Sequence, residues 1–84
     1  MSVEAFVESI VKETLTRMGD CAERPVRKPV YGQSGRPLAV EFGTPHHTAV
    51  WLPHRDVVVF HQKNGRHVRI LDVGETMRAR GIAA

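Results

Sequence analysis

With 84 residues, 42% hydrophobic and 25% charged, the chain has room for one small domain spanning residues 1–84, and its composition excludes a disordered, collagen-like or low-complexity protein. The formal net charge of +3 permits an acidic partner without requiring one. The lone Cys21 excludes an internal disulfide framework and points to a reducing, cytoplasmic setting, while no run approaches the roughly 20 apolar residues of a membrane span, so no membrane association is expected.

Val3, Phe6, Val7, Ile10, Val11, Leu15 and Met18 recur at helical spacing and predict an amphipathic helix over residues 3–18. Ser2 suits the cap, Glu4 the positive end of the dipole and Gly19 the stop. Glu8 with Lys12, and Glu13 with Arg17, are four apart on the polar side. Residues 20–37 then hold Pro25, Pro29 and Pro37 among the bases Arg24, Arg27, Lys28 and Arg36, which reads as a solvated basic connection with at most a short edge strand at Val30 and Tyr31.

From Leu38 to Leu71 the pattern changes to strands rich in Val and Phe, over residues 38–42, 48–52, 56–62 and 66–71. Asn64-Gly65 is a preferred pair for a two-residue hairpin, which sets Lys63 opposite Arg66, His61 opposite Val68 and Val59 opposite Ile70. A four-residue loop over Pro53–Asp56 places Leu52 opposite Val57, and a five-residue loop over Gly43–His47 places Val40 beside Val50. The fold class predicted is therefore α+β: the N-terminal helix packed on a four-stranded antiparallel meander, closed by a short C-terminal helix over residues 73–80 with Asp72 as its cap and Gly81 as its stop.

In that register Leu38, Val40, Phe42, Val50, Leu52, Val57, Val59, Val68 and Ile70 share the face expected to seat the helix. The opposite face would carry Trp51 and Phe60 beside His67 and Arg69, with Lys63 and Arg66 at the hairpin tip and Arg55 at the preceding turn. Flat rings next to cations suit stacked bases and phosphates. These seven residues are the candidate binding face. A domain this small also buries only roughly 60% of its unfolded surface, so a homodimer is expected. The function expected is a small non-enzymatic binding module, a homodimeric interaction or adaptor protein that contacts nucleic acid or an acidic protein.

Five histidines (His46, His47, His54, His61, His67) fall without a recognised ligand spacing, so no metal, no cofactor and no catalytic residue is assigned. Cys21, just past a helix end with no base beside it, reads as an incidental thiol, buried or half-buried. The alternative is a small histidine-dependent, toxin-type ribonuclease, with His47, His54 or His61 as base and Arg or Lys clamping phosphate. The order helix, meander, helix resembles in outline the double-stranded-RNA-binding domain and the messenger-RNA-cleaving toxins built on it, and Gly43-Thr44-Pro45-His46 echoes that domain's Gly-Pro-x-His turn. The closing helix departs from that pattern: it opens Asp72-Val73-Gly74-Glu75 where those domains have Lys-Lys-x-x-Ala.

Overall fold

The computed structural model describes residues 2–21, 23–33, 35 and 37–81, apart from the His67 side chain. Helix α1 (Val3–Arg17) begins where Ser2 Oγ accepts from Ala5 N at 3.1 Å and ends at Met18, with Gly19 turning the chain away at φ 85°. Phe6, Val7, Ile10, Val11 and Leu15 are buried along one stripe, joined by Thr14, while Val3 stays 45% exposed in the first turn. The polar side carries both expected ion pairs, Glu8–Lys12 at 3.8 Å and Glu13–Arg17 at 2.9 Å.

Five strands follow: β1 (Val26–Tyr31), β2 (Pro37–Gly43), β3 (His47–Leu52), β4 (Val57–Gln62) and β5 (His67–Asp72). They pair antiparallel in chain order. The architecture is α+β as expected, with one strand more than the sequence pattern predicts. The extra strand, β1, takes Val26–Tyr31 from the stretch expected to be a connection, extending the short edge strand expected at Val30 and Tyr31, and Arg36 of that stretch lies outside the described residues. Pro29 obscures the strand, because proline lacks a donor, yet an edge strand needs partners on one side only and tolerates it opposite Val40. Helix α2 (Val73–Ala79) starts at Asp72, whose carboxylate accepts from Glu75 N at 2.8 Å, and Val73 and Met77 bury it against the core. Arg80 then reaches Glu13 of α1 at 2.9 Å; its hydrogen bond holds the Glu13 carboxyl below the usual carboxylate value.

The β3–β4 and outer β4–β5 registers are those predicted, with Leu52 opposite Val57, Val50 opposite Val59 and Val59 opposite Ile70. The β4–β5 tip is different. Gln62 N donates to Arg66 O at 2.8 Å, which leaves a three-residue loop, Lys63-Asn64-Gly65, with Gly65 at φ 87°. That loop sets His61 opposite His67 instead of Val68, and the bulge between Phe60 and His61 restores the expected parity beyond it.

The decisive difference lies at β2–β3. Val40 pairs with Trp51, and Glu41 with Val50, one residue away from the expected register. Val40 and Phe42 therefore share a face with Ala49, Trp51, Val58 and Phe60, and α1 covers that face. The expected helix-bearing set is corrected accordingly: Val50, Leu52, Val57 and Val59 remain half-buried on the opposite side, where Ile70 is 56% exposed, while Leu38 and Val68 are exposed at 51% and 40%. The physical reason is ring size, since each buried aromatic removes about 150–250 Å² from water, more than a valine can.

Phe60 is fully buried, whereas Trp51 Nε1 is buried with no hydrogen-bond partner among the described residues. Phe60→Ala is expected to cost about 3–5 kcal/mol in urea unfolding. Trp51→Phe, which also removes an unsatisfied donor, should cost distinctly less. Equal losses for the two variants would contradict this packing.

Candidate functional site

The seven residues of the expected binding face do not form one surface. Trp51 and Phe60 are 7% and 0% exposed beneath α1, so they are closed to stacking bases. Arg69 pairs across the sheet with Phe60 and is exposed at the rim beside Leu71, Thr76 and Arg80. Lys63 and Arg66 are exposed at the β4–β5 turn, and Arg55 is exposed in the β3–β4 turn. His67 lies in β5 opposite His61, and its side chain is outside the described residues. The aromatic-cationic platform is thus corrected: its rings belong to the core, and its cations are spread along rims and turns.

What the fold brings together instead starts at Asp20, immediately after the helix stop. Its side chain is fully buried and ties the exit of α1 to the β2–β3 turn. Oδ1 accepts from Cys21 N at 2.8 Å; Oδ2 accepts from the Thr44 hydroxyl, from His46 N at 3.2 Å and from His47 Nδ1 at 2.7 Å. Burial pushes the Asp20 pKa up, but the hydrogen bonds from Thr44, His47, Cys21 and His46 outweigh it and bring it from 3.8 to about 2. An ionised carboxylate only accepts, so His47 donates through Nδ1, which turns Nε2 away from Asp20. His47 borders a shallow cleft with Gln62, Lys63 and Asn64.

Asp20 was not among the residues singled out from the sequence. Its partners in the β2–β3 turn lie 24 to 27 residues away, and no local pattern announces them. Cys21 proves exposed rather than buried, and its contribution is the backbone N–H given to Asp20. His46 and His54 are exposed and far apart in sequence position, in different turns. Among the described residues no three His, Cys, Asp or Glu side chains gather as a metal site, and no helix is long and apolar enough to cross a membrane.

On the face away from α1, β1 and β2 form a basic corner. Arg24, Val26, Lys28, Glu41, Gly43, Thr48 and Lys63 line a cleft of about 570 Å³ there. Lys28 and Glu41 are cross-strand partners, and Lys63 Nζ reaches over Gly43 from the β4–β5 turn, 3.7 Å from where a Cβ would stand. The rest of that face, on β3 to β5, carries Val50, Leu52, Val57, Val59 and Ile70, with Thr48 and His61 at one end and Asp72 at the other.

Comparison with protein-family models, with curated proteins and with solved structures found no match.

The Asp20 cluster makes a pH-dependent contribution. Its carboxyl titrates lower folded than unfolded, so the stabilisation is complete above about pH 4 and disappears as pH falls toward 2. Asp20→Ala leaves several buried donors without an acceptor and should cost on the order of 3 kcal/mol at pH 7. The gap in urea midpoint between wild type and variant should narrow steadily from pH 4 to pH 2; a gap independent of pH would refute the assignment.

Proposed function

We propose that the protein is a small non-enzymatic binding module that pairs with a second copy of itself through the sheet face opposite α1. One observation carries the reading: Val50, Leu52, Val57, Val59 and Ile70 stand together on a face that no helix covers among the described residues, and Val68 is exposed beside them in β5. Antiparallel sheets with one wet side normally alternate apolar-in with polar-out, and here the wet side is aliphatic too. An aliphatic centre with its polar groups, Thr48, His61 and Asp72, at the two ends lets the patch face its own copy about a two-fold axis, as an isologous interface requires. Five strands about 4.8 Å apart and some 20 Å long present roughly 500 Å² per copy, of which β3 to β5 supply roughly 300 Å², so pairing removes on the order of 600 to 1,000 Å², at or below the lower bound of a specific interface. That area fits a weak association centred on β3 to β5.

A histidine-dependent ribonuclease is the second reading, and it has its own supporting observation. Asp20 orients His47 through Nδ1, and Lys63 shares the cleft that His47 borders, which is the arrangement of a general base beside a phosphate clamp. RNA cleavage that His47→Ala reduces at least tenfold would favour it; no cleavage by the wild type would exclude it.

Sedimentation equilibrium at about 50 µM should return a dimer mass for the wild type and a monomer mass for Ile70→Asp, a substitution at an exposed position that leaves the core intact. A wild-type chain that stays strictly monomeric at that concentration overturns the pairing.

A further inference from the structure

The cleft at the β1–β2 corner has a chemistry of its own, apart from self-pairing on the aliphatic half. Arg24, Lys28 and Lys63 converge on it from three places in the chain, and among the described residues none of these cations has a carboxylate within 4.0 Å. With Glu41 on the wall against three cations, the lining keeps a net positive charge, which an anion entering the cleft would neutralise. Gly43 forms its floor. The absent side chain leaves space beneath the Lys63 ammonium, bounded only by that Nζ at 3.7 Å and Val26 O at 3.9 Å.

Glu41 narrows the choice of anion. A half-buried carboxylate in the middle of a basic cleft repels a bare inorganic phosphate that approaches it, but it accepts hydrogen bonds from hydroxyl groups carried by the same ligand. The Thr48 hydroxyl, also half-buried on the cleft wall, adds a donor and acceptor. A volume of about 570 Å³ falls within the ordinary range for small-ligand sites. No aromatic side chain lines it, so a base would gain nothing from stacking there, and recognition would run through sugar and phosphate.

We propose that this cleft binds a ribose phosphate, with Arg24, Lys28 and Lys63 on the phosphate oxygens and Glu41 accepting from a ribose hydroxyl. The same chemistry is offered by a free nucleotide and by one unit of a single-stranded RNA, and the two are separated by experiment. Exposed phosphate contacts by three cations give a salt slope of about −2 for a single strand, so raising salt from 50 to 200 mM should weaken RNA binding roughly twentyfold.

The test is a titration followed by amide chemical shifts, using adenosine monophosphate and, separately, a six-nucleotide single-stranded RNA at 50 mM salt. Shifts at Gly43, Thr48 and Lys63 with either ligand are expected; adenosine monophosphate alone producing them points to a free nucleotide, and at least tenfold tighter RNA binding points to a strand. Lys63→Glu should weaken binding at least tenfold. Gly43→Leu should do the same by filling the floor, where the Cβ itself makes only ordinary contacts. Glu41→Gln should reduce the preference for ribose over deoxyribose. Ile70→Asp should bind unchanged, so loss of pairing and loss of this site are distinguishable. Absence of shifts at these amides with both ligands at millimolar concentration, or unchanged affinity in both Lys63→Glu and Gly43→Leu, overturns the proposal.

Discussion

Asp20 holds together the two features on which everything else in this fold depends, the position of α1 and the register of β2 against β3. Its carboxylate receives the Thr44 hydroxyl and the His46 amide of the β2–β3 turn while standing directly after the residue that stops the helix. The turn is short, with Thr44 N returning to His47 O at 3.0 Å, and this sets Gly43 opposite Thr48 and Val40 opposite Trp51. One residue more in the turn would move every β2 side chain to the other side of the sheet. The same oxygen atoms thus anchor the helix exit and stabilise the turn that puts Val40 and Phe42 beneath that helix. Buried polar clusters of this kind specify geometry as much as they stabilise it, because any alternative arrangement leaves donors without acceptors.

A second constraint acts with it: there is one helical stripe and there are two apolar sheet faces. Phe6, Val7, Ile10, Val11 and Leu15 can cover only one of them. Covering the side of Phe42, Trp51 and Phe60 takes the aromatic rings out of water, and α2 extends the cover through Val73 and Met77. Valines, Leu52 and Ile70 are the apolar residues that remain uncovered, the smaller apolar area of the two. Leaving Trp51 inside has its own cost, an indole N–H with no acceptor among the described residues, which the gain from burying the ring outweighs.

Much of this was legible in the sequence. The spacing from Phe6 to Leu15, the Ser2 and Asp72 caps and the stops at Gly19 and Gly81 are local signals, and local signals suffice for helices. The pairings across β3, β4 and β5 were legible because turn chemistry propagates along a hairpin, even though the β4–β5 tip accommodates one more loop residue and returns it as a bulge. Three things were not legible. β1 was hidden by Pro29, whose edge position is a tertiary fact. The face that seats α1 followed from the β2–β3 register, where a five-residue loop was expected and four residues separate Gly43 from Thr48, and Asp20, which fixes that turn, acts across more than twenty positions. The candidate platform failed with that register, since alternation along β3 and β4 says correctly that Trp51 and Phe60 share a side but not which side is dry.

The outward face divides into an aliphatic half on β3 to β5 and a basic corner on β1 and β2, and the two halves answer to different physics. Contact between aliphatic side chains is insensitive to simple screening and is strengthened by excluded salts. Contact between cations and phosphate weakens as counterions compete for it. Ionic strength therefore separates the proposed self-pairing from the proposed ligand binding without any substitution. The geometry also lets them coexist, because Lys63 reaches the corner from the β4–β5 turn, over Gly43, rather than from the middle of the sheet. A side chain at position 43 would close that approach while leaving Val50, Val59 and Ile70 where they are, so this one glycine marks the boundary between the two halves of the face.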